Sequence, residues 1–425
     1  MSTKPKWTVL VYMVADTGDS FYQDAMADIT EMMEAQFDDR VRVVVQADAP
    51  APWQTRTLEV KGAIEVNEGQ AGSPRGKNAT AELKIRKVEN LNWHNKSLLD
   101  FVQATVDAYP SDYYLLVLWG HGEGIDWKQK VLGDRALDPA APIEGDMKRF
   151  APGSQGVIEV GELGKSLAGL RLGDINKENV VLGFDACLMG MVEVYGEIQP
   201  YVGWVVAAND EIPDTGWPYK DVLKLLGDDP NIEPKRLAEN IVHKCANWYS
   251  LHTPGVKVSF AACDLSKSTA LLQATTNLTG QLKTDLKEEP IREAVREARD
   301  FAEDLQEIAY VDLYAFCTEL KRQAKRRENG TDLRALNKAT DRVIEIMREF
   351  VIQHRFSDDY PCRYSEHSRA VSICFPESAA LAGSIKGIEV DWGAYEELKF
   401  SEHTHWPQFL EGFWDRRQTT RTVIR

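Results

Sequence analysis

Disulfide scaffolding is the first thing this chain lacks. Its six cysteines are spread over 425 residues with no CxxC pair. Most sit within apolar runs, where a free thiol packs as a small hydrophobe, so a zinc site is not expected either. Long apolar stretches are also missing. None approaches the roughly 18 to 20 residues that a membrane span needs. The opening Met1-Ser2-Thr3-Lys4-Pro5-Lys6 runs straight into a strand pattern instead of a signal-peptide core. As it stands, the sequence is expected to work in the cytoplasm without a membrane partner, and it would be a secreted protein if a leader had been removed. Positive charge is scarce as well. With 66 acidic against 50 basic residues and a net charge of −16, the chain would repel a polyanion, so nucleic acid is excluded as a non-specific partner and cationic partners are favoured. The one dense basic run, Lys321 to Arg327, lies on a helical pattern and reads as a solvated helix face or a local patch. No internal repeat, low-complexity tract or DxDxDG calcium loop is present.

What the chain does have is an ordinary globular composition, 43% apolar and 27% charged, and enough length for two or three structural units. Residues 7–15, 41–47, 113–119, 180–184 and 202–208 are continuous apolar runs, the pattern of strands buried on both faces. Helical patterns at 21–36, 95–108, 160–170 and 188–198 alternate with them, and 49–78 reads as an irregular excursion around a short strand. Alternation of this kind predicts a three-layer α/β sandwich with a mostly parallel central sheet, whose ligand-binding edge lies beyond the carboxyl ends of the strands. From about 285 the chain becomes helix-dominated (288–308, 310–327, 331–353), with a strand at 369–375 and an aromatic tail. The expected division is therefore an α/β domain over 1–284 and a mainly helical C-terminal domain over 285–425.

Two motifs stand at that carboxyl edge. Strand 113–119 ends in Trp119-Gly120-His121-Gly122, a histidine between glycines that permit close approach. Strand 180–184 ends in Asp185-Ala186-Cys187-Leu188-Met189-Gly190, a thiol expected just before a helix, where a thiolate is favoured. Amide hydrolysis by a cysteine enzyme needs a sulfur nucleophile, a histidine to carry protons, and backbone N–H donors for the oxyanion. His121 and Cys187 fit the first two needs. The amides of Gly122 and Cys187 are the nominated oxyanion donors.

Together the two motifs resemble those of the clostripain family of cysteine peptidases, which has a caspase-like fold. The likeness extends to Trp7–Asp16, Thr215-Gly216-Trp217-Pro218-Tyr219, Val311-Asp312-Leu313-Tyr314 and Val371–Pro376. It implies a cysteine endopeptidase acting on protein or peptide substrates through a Cys187–His121 dyad and a thioester. It also implies cleavage after Arg or Lys, with Asp185 lending negative charge to the pocket. A second pocket acid is expected from 209–214, Asp210 in preference to Glu211. Clostripain-like enzymes typically cut themselves between the histidine and the cysteine, which points to Lys148 and Arg149 within 122–156. No cofactor is needed for the chemistry, although calcium is implied for some relatives. Bland alternatives stand beside each of these readings. Asp185 would then cap the following helix, 209–214 would be a solvent loop, 122–156 would stay uncut, and the protein would be a silent caspase-like scaffold or a peptidase of non-basic specificity. Oligomeric state is not legible.

Overall fold

The computed structural model describes residues 4–15, 19–48, 55–66, 82–84, 89–90, 98–122, 124–125, 160–169, 174–302, 309–327, 333–361, 366–378 and 392–420. Its strands are β1 (Trp7–Met13), β2 (Val41–Ala47), β3 (Arg56–Val60), β4 (Ile64–Val66), β5 (Glu82–Lys84), β6 (Glu89–Asn90), β7 (Tyr113–Trp119), β8 (Val180–Asp185), β9 (Trp204–Ala207), β10 (Ser259–Asp264), β11 (Tyr310–Asp312), β12 (Val351–Phe356) and β13 (Ser372–Cys374). The helices are α1 (Asp19–Glu34), α2 (Leu98–Ala108), α3 (Val160–Gly169), α4 (Val192–Ile198), α5 (Tyr219–Asp228), α6 (Pro234–His252), α7 (Ser268–Asp285), α8 (Glu289–Ala302), α9 (Leu313–Arg326), α10 (Arg334–Phe350), α11 (Trp392–Glu396), α12 (Lys399–Thr404) and α13 (Trp406–Thr420).

Among the described residues, nine strands form one sheet in the order β12-β10-β9-β8-β7-β1-β2-β3-β6. The five apolar runs expected from the sequence are its parallel centre, β9-β8-β7-β1-β2. Every residue of β8 is buried, as a strand covered on both faces requires. Chain order reverses at β1, with β2 on one side and β7 on the other, so the crevice for a ligand opens at the carboxyl ends of these strands. Helices α1, α5 and α6 pack together on one side of the sheet, and α2, α3 and α4 pack in succession on the other, making the three layers.

The sheet does not stop at β9. Strand β10 pairs antiparallel with β9, and β12 pairs antiparallel with β10. The helix expected to run to 353 ends at Phe350, because the β-branched Val351 and Ile352 open a strand that completes the sheet edge. The boundary expected at 284 is therefore crossed by a ladder of the central sheet. Strand β13 pairs with β11 and bridges Met191 through Ser372, while Trp406 donates its indole N–H to the Cys374 carbonyl at 2.8 Å. Both parts of the chain contribute to one continuous apolar core, from Trp7 through Trp414.

Candidate active site

Register decides where the two motifs meet. Strands β7 and β8 pair in parallel with Trp119 opposite Asp185, and the Gly120 N–H bonds to the Asp185 carbonyl at 3.2 Å, so the segments carrying His121 and Cys187 leave the sheet as neighbours. Neighbouring strands run about 4.8 Å apart, which brings the two segments side by side. They are in contact: a Cβ placed on Gly122 would lie 2.0 Å from the Cys187 carbonyl oxygen and 2.9 Å from its nitrogen. Only glycine fits there.

Residues two apart on a strand share a face, and His121 shares one with Trp119. The Phe21 ring of α1 covers both. It stacks on the imidazole with centroids 4.1 Å apart and planes 10° apart, and it tilts against Trp119 at 4.5 Å. The Trp119 indole N–H is held by Asp28 of α1 at 2.6 Å. Aromatic packing of this kind limits rotation of the histidine ring. Phe21 was invisible to motif reasoning because its role depends on how α1 folds back over β7.

The Cys187 segment turns sharply after β8. Leu188 has φ of 60°, a left-handed conformation that costs a branched residue about 1 kcal/mol or more. It is held there by its N–H bond to the Asp210 carbonyl at 3.2 Å and by the Gly190 N–H bond to the Ala208 carbonyl at 2.7 Å. This turn displaces the helix expected at 188, which begins only at Val192 with Met191 as its N-cap. The dipole of α4 thus starts well beyond the sulfur, and such effects fade within a turn. Cys187 is fully buried, and its Sγ lies against the backbone of Ile212. It accepts the Ile212 N–H at 3.3 Å and is 3.5 Å from the Ile212 carbonyl oxygen.

Three acids surround this turn. Asp185, fully buried, accepts the Trp217 N–H at 3.1 Å and the Tyr219 hydroxyl at 2.9 Å on Oδ2. It therefore ties β8 to the Thr215–Tyr219 segment and does not cap α4. Burial first, and then the nearby charges of Asp185 and Asp28, push the Tyr219 phenol well above its usual range, so Tyr219 donates as a neutral hydroxyl. Asp210 accepts the Glu211 N–H at 2.9 Å on Oδ1 and the Tyr360 hydroxyl on Oδ2. Asp210 and Glu211 are buried, which removes the solvent-loop reading of 209–211. Asp185 and Asp210 thus flank the Cys187 turn from its two ends. Neither Tyr219 nor Tyr360 carries a local sequence signal for this role, although Tyr219 ends a motif the sequence had marked. Lys148 and Arg149 lie outside the described residues.

No group of three or more His, Cys, Asp or Glu side chains converges to hold a metal among the described residues. No helix among those residues is long and apolar enough to cross a membrane.

A model of the clostripain family, Peptidase_C11, matches residues 11–414. Clostripain of Hathewaya histolytica is 22% identical over 320 residues, covering 66% of this chain and 58% of that protein's own length. The chain thus spans less than two thirds of that relative. Solved structures share the fold at low identity. An inactive zymogen C11 protease from Parabacteroides distasonis superposes with a TM-score of 0.58 at 16% identity, covering 95% of this chain and 99% of its own. A secreted C11 cysteine protease from Bacteroides thetaiotaomicron, in complex with an irreversible peptide inhibitor, gives 0.55 at 18% identity with the same coverage of each chain.

Proposed function

The chain belongs to the clostripain family, and on that premise we propose that it is a cysteine endopeptidase whose nucleophile is Cys187 and whose proton carrier is His121. The observation that supports this reading is the β7–β8 ladder, which ends with Trp119 opposite Asp185, together with the contact of Gly122 with the Cys187 peptide. In the reaction, the Cys187 thiol gives its proton to His121 and Sγ attacks the scissile carbonyl. The tetrahedral oxyanion is received by the amides of Gly122 and Cys187. As the C–N bond breaks, His121 passes the proton to the leaving amine and a thioester remains. Water, deprotonated by His121, then releases the acid and restores the thiol. Imidazole and thiolate supply all of this chemistry.

Cleavage after Arg or Lys follows from the acids beside the turn. A carboxylate offers about four acceptor positions. Asp185 and Asp210 are both buried beside the Cys187 turn, and paired carboxylates in such a setting suit a guanidinium or ammonium group. The described structure represents a latent form in this reading. The reacting atoms must approach to about 3–3.5 Å, and a fully buried sulfur against Ile212 admits no substrate until 209–214 shifts. Self-cleavage near Lys148 or Arg149 is the proposed trigger. The same buried sulfur also favours a second reading, a chain that keeps the fold and never cuts.

Fluorogenic peptides with Arg, Lys, Asp or Ala before the scissile bond, offered to wild type and Cys187→Ala with and without calcium, separate these readings. Mass spectrometry of each chain follows processing. Hydrolysis after Arg or Lys that vanishes in Cys187→Ala, with a cut between His121 and Cys187, is expected. Hydrolysis after Asp or Ala alone would overturn the specificity, and no hydrolysis under any condition would favour the silent scaffold.

A further inference from the structure

Apart from the dyad, a second polar cluster forms where α9, α10, β12 and the segment before β13 meet. The buried carboxylate of Asp312 organises the corner. Its Oδ1 accepts the Ala315 N–H at 2.8 Å, and its Oδ2 accepts the Ser368 hydroxyl at 2.5 Å and the amides of Arg369 and Val371 at 3.0 and 3.3 Å. Asp312 is thereby committed to backbone and hydroxyl donors. The Arg369 guanidinium instead lies over the Tyr314 ring, 4.6 Å from its centroid. Arg348 reaches the same residue from α10, with Nε and Nη2 donating to the Tyr314 hydroxyl oxygen at 3.1 and 3.0 Å.

Donor and acceptor accounting at Tyr314 leaves a remainder. A guanidinium can only donate, so the phenol oxygen is the acceptor in both bonds and its own O–H must point to a third group. Tyr314 is only 6% exposed, and no acceptor for that proton is found among the described residues. The neighbouring acids are engaged elsewhere: Glu345 pairs with Arg342 at 3.3 Å and Glu349 with Lys267 at 3.6 Å. Neither Arg348 nor Arg369 has an ion-pair partner among the described residues. Arg369 also donates to His354 Nε2 at 3.1 Å, which places the imidazole proton on Nδ1. Burial, together with the charges of Arg369 and Arg355, lowers the His354 pKa to about 4. Positive potential is thus concentrated at one corner of a chain whose net charge is −16.

We infer that Tyr314, Arg348 and Arg369 form an oxyanion-binding site, built to take a carboxylate or phosphate group from the two guanidinium groups and the phenol O–H. Planar guanidinium forks suit such a group better than an ammonium would, and a negative ligand relieves the repulsion between the two cations. The site shares no residue with the dyad and does not depend on the peptidase reading, yet it is tied to the same sheet edge. Ser372, three residues after Arg369, donates its N–H to the Gly190 carbonyl at 2.8 Å and its hydroxyl to the Asn209 carbonyl at 3.4 Å, so it touches both segments around Cys187.

Calorimetric titration of the full chain with inorganic phosphate and with triglutamate, at constant ionic strength, tests the assignment in wild type, Arg348→Gln, Arg369→Gln and Tyr314→Phe. Saturable phosphate binding that weakens at least tenfold in each arginine variant, and measurably in Tyr314→Phe, supports a free-anion site. The same variant pattern with triglutamate alone supports a carboxylate carried on a peptide. In either case the His354 ring resonance, assigned with His354→Gln, should titrate at higher pH when the ligand is present. Should an arginine variant fail to fold, Tyr314→Phe and the His354 titration decide. The assignment is overturned if neither probe saturates, if binding survives both arginine substitutions, or if the His354 midpoint does not move.

Discussion

Gly122 is the residue on which the meeting of the two motifs turns. The atom that a Cβ would strike is the Cys187 carbonyl oxygen, 2.0 Å away, and backbone cannot yield as a flexible side chain would. Gly122→Ala must push the histidine segment and the nucleophile turn apart, and a misplacement near 1 Å costs about a hundredfold in rate. A fall of at least about that size in kcat/KM toward the Arg or Lys peptide is expected. Gly161→Ala provides the contrast, since a Cβ there meets nothing within 4 Å and an alanine in a helix is favoured by roughly 0.5–1 kcal/mol. Equal activity in the two variants would remove Gly122 from the site. His121 and Cys187 stood out in the sequence as candidates because each follows a long buried strand. Phe21, Ile212 and Tyr360 could not, because each reaches the site through tertiary packing from a segment with no motif of its own.

Among the elements, α4 joins the sheet to the C-terminal part through two carboxyl groups, Glu197, which accepts the Lys399 N–H at 2.7 Å, and Glu193. Glu193 is fully buried. Its Oε1 accepts the Cys374 N–H of β13 at 2.8 Å and the Tyr395 hydroxyl of α11 at 3.0 Å, whereas Oε2 has no hydrogen-bond partner among the described residues. Burial outweighs those bonds and raises its pKa from 4.5 to about 7. A carboxyl whose folded pKa lies above its unfolded value stabilises the fold in acid, and that contribution is lost as pH rises through 7. At pH 8 the ionised group costs roughly 3 kcal/mol, from about 1.4 kcal/mol for each tenfold step. Glu193→Gln keeps an acceptor for both donors and cannot ionise. Urea unfolding should find the variant more stable at pH 8, with the advantage shrinking toward pH 4.5; an advantage independent of pH would refute the account. The elements were unequally legible. Val- and Leu-rich β1, β2, β7, β8 and β9 announced themselves, but β10, Ser259-Phe260-Ala261-Ala262-Cys263-Asp264, is mostly small residues with little strand signal. Strand β12 was absorbed into the preceding helix because no glycine or proline separates Phe350 from Val351.

For the molecule as a whole, the division expected near 284 meets a sheet that ignores it. Residues 351–356 complete the central sheet, and β13 is bonded to Gly190 and Glu193 just beyond Cys187. A change of composition from alternating strands to charged helices was legible at that point, but composition does not say where a later strand will pair. Calorimetry of the full chain is expected to give one cooperative transition whose van't Hoff and calorimetric enthalpies agree. A chain ending at 284 is expected to give none, since β10 would lose its outer neighbour β12 and the core would lose its C-terminal part. Two separated transitions in the full chain would restore independent domains.

The parallel pairing of Trp119 with Asp185 also bears on which length changes the family can accept. Because the ladder pairs the strand ends that His121 and Cys187 follow, insertions or deletions in the connection between the strands, or a break in it, are expected to leave those ends adjacent. A single-residue insertion inside β7 or β8 is another matter. It slips the register and turns the affected side chain to the opposite face of the sheet, so length variation among homologues should be free in the connection and barred from the two strands.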